Sequence, residues 1–162
     1  MTAALKVFIG SDEAGFALKE QLKTHLASLG IEAVDHGCHS PEPVDYPDVA
    51  LALARDIADH PQGRGILICG TGIGMAIAAN KVTGVRAAQA HDTYSAERAR
   101  KSNDAQILTL GARVIAPQLA MRIVDAWLAA EFEGGNSARK VQKLAEIDTS
   151  RRPPDGMRTQ EA

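Results

Sequence analysis

The chain has 162 residues, 45% of them apolar and 23% charged, with a formal net charge of −2. That is enough chain for one domain with its own core, and the lack of basic clusters interleaved with aromatics argues against a nucleic-acid partner. No apolar stretch reaches membrane-spanning length and MTAALKVFIG lacks the charged-then-apolar order of a leader, so no membrane association and a cytoplasmic location are expected.

The run LKVFI at 5–9 reads as a first strand that carries Gly10, Ser11 and Asp12 to its carboxyl edge. Residues 15–29 place Phe16, Leu18, Leu22, Leu26 and Leu29 near helical spacing, with Gly30 as the stop. A short strand at 31–34 leads into 35–47, DHGCHSPEPVDYP, whose length and three prolines suggest a restrained loop over a site. A helix is expected over 48–60, with Val49, Leu51, Leu53 and Ile57 apolar.

The stretch GILICGTGIGMAIAANK, 65–81, is the most informative in the chain. Ile66, Leu67 and Ile68 form a β-type run into Cys69. Gly70, Gly72 and Gly74 then make a loop that opens a helix over 75–81. Such a turn aims several backbone N–H groups at one spot, which favours an anion or a developing oxyanion. Cys69 sits at its lip, where a thiolate is stabilised. The alternative is a Rossmann-like turn whose cysteine is only a small buried apolar residue.

A strand is expected at 85–90, and a helix over 95–102 after His91, Asp92 and Thr93, which include capping candidates. A fifth strand, QILTL at 106–110, ends in Gly111, Ala112 and Arg113. Pro117 opens a helix to 128 with Leu119, Ile123, Val124 and Trp127 as its buried face, and 137–147 forms a last helix with Val141, Leu144 and Ile147 on one side. From Thr149 the chain is polar and proline-containing, so the domain is expected to span 1–148, with 149–162 as a disordered or loosely packed tail.

Alternating strands and helices predict a doubly wound α/β fold whose ligands lie beyond the carboxyl ends of a parallel sheet. The first βα turn, GSDEAG, lacks the dinucleotide fingerprint, which disfavours a nicotinamide cofactor. The cysteines, Cys38 and Cys69, match no metal or C-x-x-C spacing and read as reduced thiols, which argues against a thiol redox enzyme. His25, His36, His39 and His60 support no metal site.

Gly10-Ser11-Asp12, Asp45-Tyr46-Pro47, CGTGIG with AANK, HDTYSAERA, SNDAQILTLGARVI and FEGG occur in that order. Together they resemble the ribose-5-phosphate isomerase type B family, which includes galactose-6-phosphate and tetrulose-phosphate isomerases. The resemblance runs from about Lys6 to Ile147. It implies a Rossmann-like αβα sandwich with a five-stranded parallel sheet. It also implies a homodimer whose active sites draw on both subunits, and aldose–ketose isomerisation with no metal and no nucleotide. Whether dimers pair into tetramers is left open.

The residues suit that chemistry, which needs a base for a carbon-bound proton, donors for an enediolate and a group that moves hydroxyl protons. Cys69 matches the family's thiol base, the backbone of Gly70, Gly72, Ile73 and Gly74 would hold the enediolate, and Thr71 would pass protons between O1 and O2. Asp12, counted among the catalytic groups, and Tyr46 match positions that contact the sugar; Asn103 matches one that reaches in from the partner subunit. Local roles compete: Asp12 as a helix cap, Tyr46 as loop packing, Asn103 as a helix C-cap, Thr71 as a turn residue. His91 either contacts substrate or orients a loop and caps a helix.

The chain also departs from the family pattern. Glu13 stands where pentose isomerases carry a histidine that helps with the phosphate, so it either turns away or reads a hydroxyl. Asn136 and Ser137 follow Gly134-Gly135 where the family has Arg-His, which leaves Arg113, Arg139 and Lys140 as the phosphate contacts. Ser102 replaces the histidine thought to open a furanose ring, and as a substrate contact it points to a sugar that does not need opening. A tetrose 4-phosphate or an unphosphorylated aldose on the same site is therefore an alternative to ribose 5-phosphate. A non-catalytic sugar-phosphate-binding protein is a further alternative.

Overall fold

The computed structural model describes residues 5–150. Its strands are β1 (Val7–Ser11), β2 (Ala33–Asp35), β3 (Arg64–Cys69), β4 (Ala87–Gln89) and β5 (Ile107–Gly111). Its helices are α1 (Phe16–Ser28), α2 (Tyr46–Asp59), α3 (Ile73–Ala79), α4 (Thr93–Lys101), α5 (Pro117–Ala129) and α6 (Asn136–Ser150), with one 3-10 turn at Glu13–Gly15 before α1. The strands form one parallel sheet in the order β2-β1-β3-β5-β4, as the alternation predicts.

Every residue of β1, β3 and β5 is buried, whereas the edge strands β2 and β4 are not. Helices cover both faces of a parallel sheet, so its inner strands read as unbroken apolar runs. Val7, Ile9, Ile66, Ile68, Leu108 and Leu110 face α1, α4 and α5, where Leu22, Leu26, Ala96, Ile123 and Trp127 complete the core. Phe8, Leu67, Cys69 and Ile107 face α2 and α3, against Leu53, Ile57, Met75 and Ala79. Strand period two thus points Cys69 to the α2–α3 side. The open edge of β4 is blunted by Asn80, whose side-chain amide accepts from Ala87 N and donates to Ala87 O at 2.9 and 2.8 Å.

Several boundaries differ from the sequence expectation. β1 starts and ends two residues later than 5–9, because its ladder with β3 runs on to Ser11↔Ile68. α2 begins at Tyr46 rather than Asp48, since Pro47 is preorganised for a first helical turn. Tyr46 is therefore held on a helix rather than a loop. α4 begins at Thr93, with Asp92 as its cap through Ser95 N at 2.7 Å. On α5 the residue facing the sheet is Ala120, while Leu119 is exposed. α6 runs through Thr149 and Ser150, and the rest of the expected tail, 151–162, lies outside the described residues. None of the α6 residues is buried, and Leu144 and Ile147 stand exposed.

Candidate active site

The connection from β1 leads out to β2, and the next one crosses back over β1 to β3. The carboxyl ends of β1 and β3 therefore flank the point where the winding reverses, where α/β folds open a crevice. Asp12 leaves one strand and Cys69 ends the other, and Asp12 N donates to Ile68 O at 3.2 Å across the gap. Gly15 completes this close approach: a Cβ there would lie 2.7 Å from Ile68 O.

Cys69 is 5% exposed, at the floor of the crevice. Gly72 N donates to its Sγ at 3.1 Å. That bond requires a tight turn, and Gly72 supplies it with φ +79 while its Cα rests on Leu110, whose carbonyl carbon would be 2.9 Å from a Cβ. Thr71 lies against Gly111 in the same way, and its Oγ1 accepts from Ile73 N at 3.3 Å. Ala112 N and Arg113 N donate to Cys69 O and Gly70 O at 2.9 and 3.0 Å, so the end of β5 carries the loop from below. α3 has only 7 residues, so the loop can offer an anion direct N–H donors but not a long helix dipole.

Asp12 does two things. Its carboxylate accepts from Gly15 N at 3.0 Å as the cap of the 3-10 turn, yet it also stands at the crevice. Burial pushes its carboxyl above the usual range, with the Gly15 N–H opposing. Glu13 is tied to the segment ahead of α2: its Oε2 accepts from Val44 N at 3.1 Å, which, with its own N–H and the Arg113 charge, holds it below the ordinary glutamate range. Tyr46 projects over α3, where a Cβ on Gly74 would meet its Cε2 and Cζ at 2.6 Å. Arg113 lies over Gly70, its Nη1 3.5 Å from where a Cβ would be. His91 Nε2 accepts from Gly111 N at 2.9 Å.

The expected site residues therefore divide. Asp12, Glu13, Tyr46, Cys69, Gly70, Thr71, Gly72, Ile73, Gly74, His91 and Arg113 gather at the carboxyl edge of the sheet. Ser102 and Asn103 lie at the opposite edge, ahead of β5; Ser102 Oγ accepts from Arg98 and Asn103 O accepts from Arg86 Nε. α6 is tied to that same edge by Glu133 N to Lys101 O before it and by Gly84 N to Asp148 Oδ2 near its end, so Arg139 and Lys140 do not join Cys69 within one chain. Two supports were not singled out from sequence. Gln89 Nε2 donates to Thr71 O, and Gly111 lets Thr71 approach; the glycine in TLGAR was the available signal.

A fully buried Lys19 also escaped the sequence reading. It pairs with Asp35 at 2.6 Å and Glu20 at 3.0 Å, and Lys23 reaches the same Asp35 oxygen at 2.8 Å. Burial alone would raise the Asp35 carboxyl, but the two lysines and Gly37 N hold it at about 2. Asp35 thereby fixes the turn at the end of β2. From there Gly37 O accepts from Ser11 N and Cys38 N donates to Ser11 O, which extends the β1–β2 pairing to the carboxyl end of β1.

A family model described as Ribose/Galactose Isomerase matches residues 7–144. The ribose-5-P isomerase B of Listeria innocua is 53% identical over 148 residues, 91% of this chain and 100% of that protein. The D-erythrulose-4-phosphate isomerase of Pectobacterium atrosepticum is 56% identical over 142 residues, 86% of this chain and 93% of that protein. The Clostridium thermocellum ribose-5-phosphate isomerase B structure superposes with a TM-score of 0.88 at 48% identity, covering 90% of this chain and 99% of that one. With the parallel sheet and its glycine loop, these matches establish that the chain belongs to the ribose/galactose isomerase family.

Proposed function

We propose that the chain is an aldose–ketose isomerase of a small sugar phosphate, of the ribose 5-phosphate/ribulose 5-phosphate type, with Cys69 as its base. The observation that carries this reading is the Cys69 sulfur beneath the Gly72 N–H, at the winding reversal and beside Asp12, Tyr46 and Thr71. In the aldose-to-ketose direction the Cys69 thiolate takes the C2 proton, the electron pair of that bond forms the C1–C2 double bond of a cis-enediolate, and the C1–O1 π pair moves onto O1. The resulting thiol returns the proton to C1. The hydroxyl proton leaves O2 and arrives at O1, and Thr71 Oγ1, which accepts from Ile73 N, keeps its own O–H for that transfer. Gly72 N and Ile73 N are taken by Cys69 Sγ and Thr71 Oγ1, so the remaining backbone N–H groups of the loop, such as those of Gly70 and Gly74, hold the oxyanion, Asp12 and Tyr46 contact the sugar, and Arg113 draws the phosphate.

Ser102, Asn103, Arg139 and Lys140 reach such a site only from a second copy of the chain. The reading therefore includes a homodimer in which the amino edge of one sheet faces the carboxyl edge of the other. The exposed Leu144 and Ile147 beside Asn103 and Arg86 support it, since they line a groove that one chain leaves open.

Ser102 favours a second reading for substrate length. Its Oγ is occupied by Arg98, so no acid–base group stands there to open a ring. A tetrose 4-phosphate has its O4 esterified and cannot close a furanose, so it does not need one. Turnover on ribose 5-phosphate, erythrose and erythrulose 4-phosphates and the free aldoses tests both readings. Sugar phosphates are expected to turn over and free aldoses not. Preference for the four-carbon pair would select the second reading, and inactivity on every sugar would overturn the function itself.

A further inference from the structure

The strand β4 ends at Gln89, one residue before it runs out of partners on β5. Ala90 N still donates to Thr109 O at 3.3 Å, but the chain then turns away so that Asp92 can cap α4. The next rung of the ladder would need a main-chain acceptor for Gly111 N. None arrives, and the His91 ring takes its place, with Nε2 2.9 Å from Gly111 N. Because an N–H donates to it, Nε2 carries no proton, and the neutral ring holds its hydrogen on Nδ1.

Gly111 is not an ordinary rung. It is buried, and a Cβ on it would fall 2.8 Å from the Cα, C and O of Thr71. Its neighbour Leu110 meets Gly72 just as closely, and Gly72 N is the donor to Cys69 Sγ. A short run of close contacts therefore leads from the imidazole through Gly111 and Leu110 to the sulfur. Gln89 Nε2, two residues before His91 in the chain, holds Thr71 O from the same side.

We infer that His91 is a positioning residue: by accepting from Gly111 N it holds the Leu110–Gly111 platform on which the Cys69–Gly72 loop sits, and so sets the Gly72 N–H against the Cys69 sulfur. Its consequence for catalysis rests on the isomerase reading above. It acts through the backbone and has no contact with the sugar. Glutamine tests this well, because its Oε1 reaches about as far as Nε2 and accepts a hydrogen bond without titrating. Asparagine keeps the polarity but falls short.

The experiment compares the wild type with His91→Ala, His91→Asn and His91→Gln in amide hydrogen exchange at Gly111 and Gly72 and in steady-state kinetics. In His91→Ala and His91→Asn, exchange at both amides is expected to rise about tenfold or more, and kcat to fall about 10- to 100-fold with KM within threefold. His91→Gln is expected to restore both to within about threefold of wild type. Wild-type exchange at Gly111 and Gly72 in the short variants would overturn the proposal. So would a His91→Gln protein as impaired as His91→Ala while its amides stay protected, which would make the ring a direct acid–base group. The exchange arm uses no substrate, so it decides the positioning role even if no sugar turns over, a result that would instead remove the isomerase reading.

Discussion

Gly74→Ala separates stability from activity. Gly74 is the second residue of α3, and alanine there favours the helix by up to about 1 kcal/mol. The new Cβ, however, would lie 2.6 Å from Cε2 and Cζ of Tyr46 and 3.1 Å from its Oη. Carbon contacts settle at ~3.5–4.0 Å, so the ring must retreat by about 1 Å. In a rigid core such overpacking costs ~1–3 kcal/mol. Tyr46 is 40% exposed at the first position of α2, so its ring swings outward at little cost. The net change in unfolding free energy is expected to stay within about 1 kcal/mol. Activity responds differently, because a group displaced by about 1 Å from a reacting sugar loses on the order of 10²-fold in kcat/KM. Denaturant unfolding and steady-state isomerisation measure the two quantities on one preparation. In a Tyr46→Ala background, where the ring is gone, Gly74→Ala is expected to cost less than about threefold. A Gly74→Ala protein with full kcat/KM, or an equal loss in both backgrounds, would refute the argument.

Asp35 sets an acid limit to stability. Its carboxyl is held at about 2 in the fold against an ordinary 3.8, so it contributes about 2 kcal/mol that is present above the unfolded value and lost as pH falls through the folded one. Unfolding at pH 7 and pH 2.5 is expected to show wild type losing much of that increment and Asp35→Asn, already weaker at neutral pH, losing less; equal losses would contradict the pairing with Lys19 and Lys23. Asp12 works in the other direction. Burial raises its carboxyl, so the ionised form is a cost to the fold, while the amide oxygen of an asparagine in its place would still cap Gly15 N. Asp12→Asn is expected to melt no lower than wild type yet lose about 10²-fold or more in kcat/KM, and a variant that melts lower with activity intact would reverse that assignment.

The parts legible in sequence were those with a local cause. Strand period, helical spacing and Pro117 marked the sheet and α5, and the CGTGIG run announced a strand, a tight loop and a short helix, which is what the chain builds. Positions set by tertiary contacts were not legible. Leu119 fits an apolar stripe as well as Ala120, but the small residue is the one the close-packed sheet accepts. A buried lysine runs against compositional expectation, and Lys19 is held by its neighbour Glu20 and by Asp35, which lies beyond a helix and a turn.

For the candidate site, sequence named residues at both edges of the sheet without distinguishing them. Order along the chain carries no information about which edge a loop occupies until the strands are paired, and β5 lying parallel beside β3 is what sends Asn103 and Cys69 to opposite ends. Asp12 caps Gly15, the local one of its two competing descriptions, while its place at the end of β1 keeps it beside the crevice. Glu13 resolved to the Val44 N–H, a contact 31 residues away that no motif encodes.

The central claim is that Cys69 is the base. The direct measurement is turnover of the preferred sugar phosphate by wild type, Cys69→Ala and Cys69→Ser, with substrate affinity of each taken by calorimetry. Both variants are expected to bind within a few-fold of wild type while kcat falls by about 10³-fold or more. A Cys69→Ala protein that retains kcat within about tenfold of wild type would contradict the claim, because no other group in the crevice is assigned to take the carbon-bound proton.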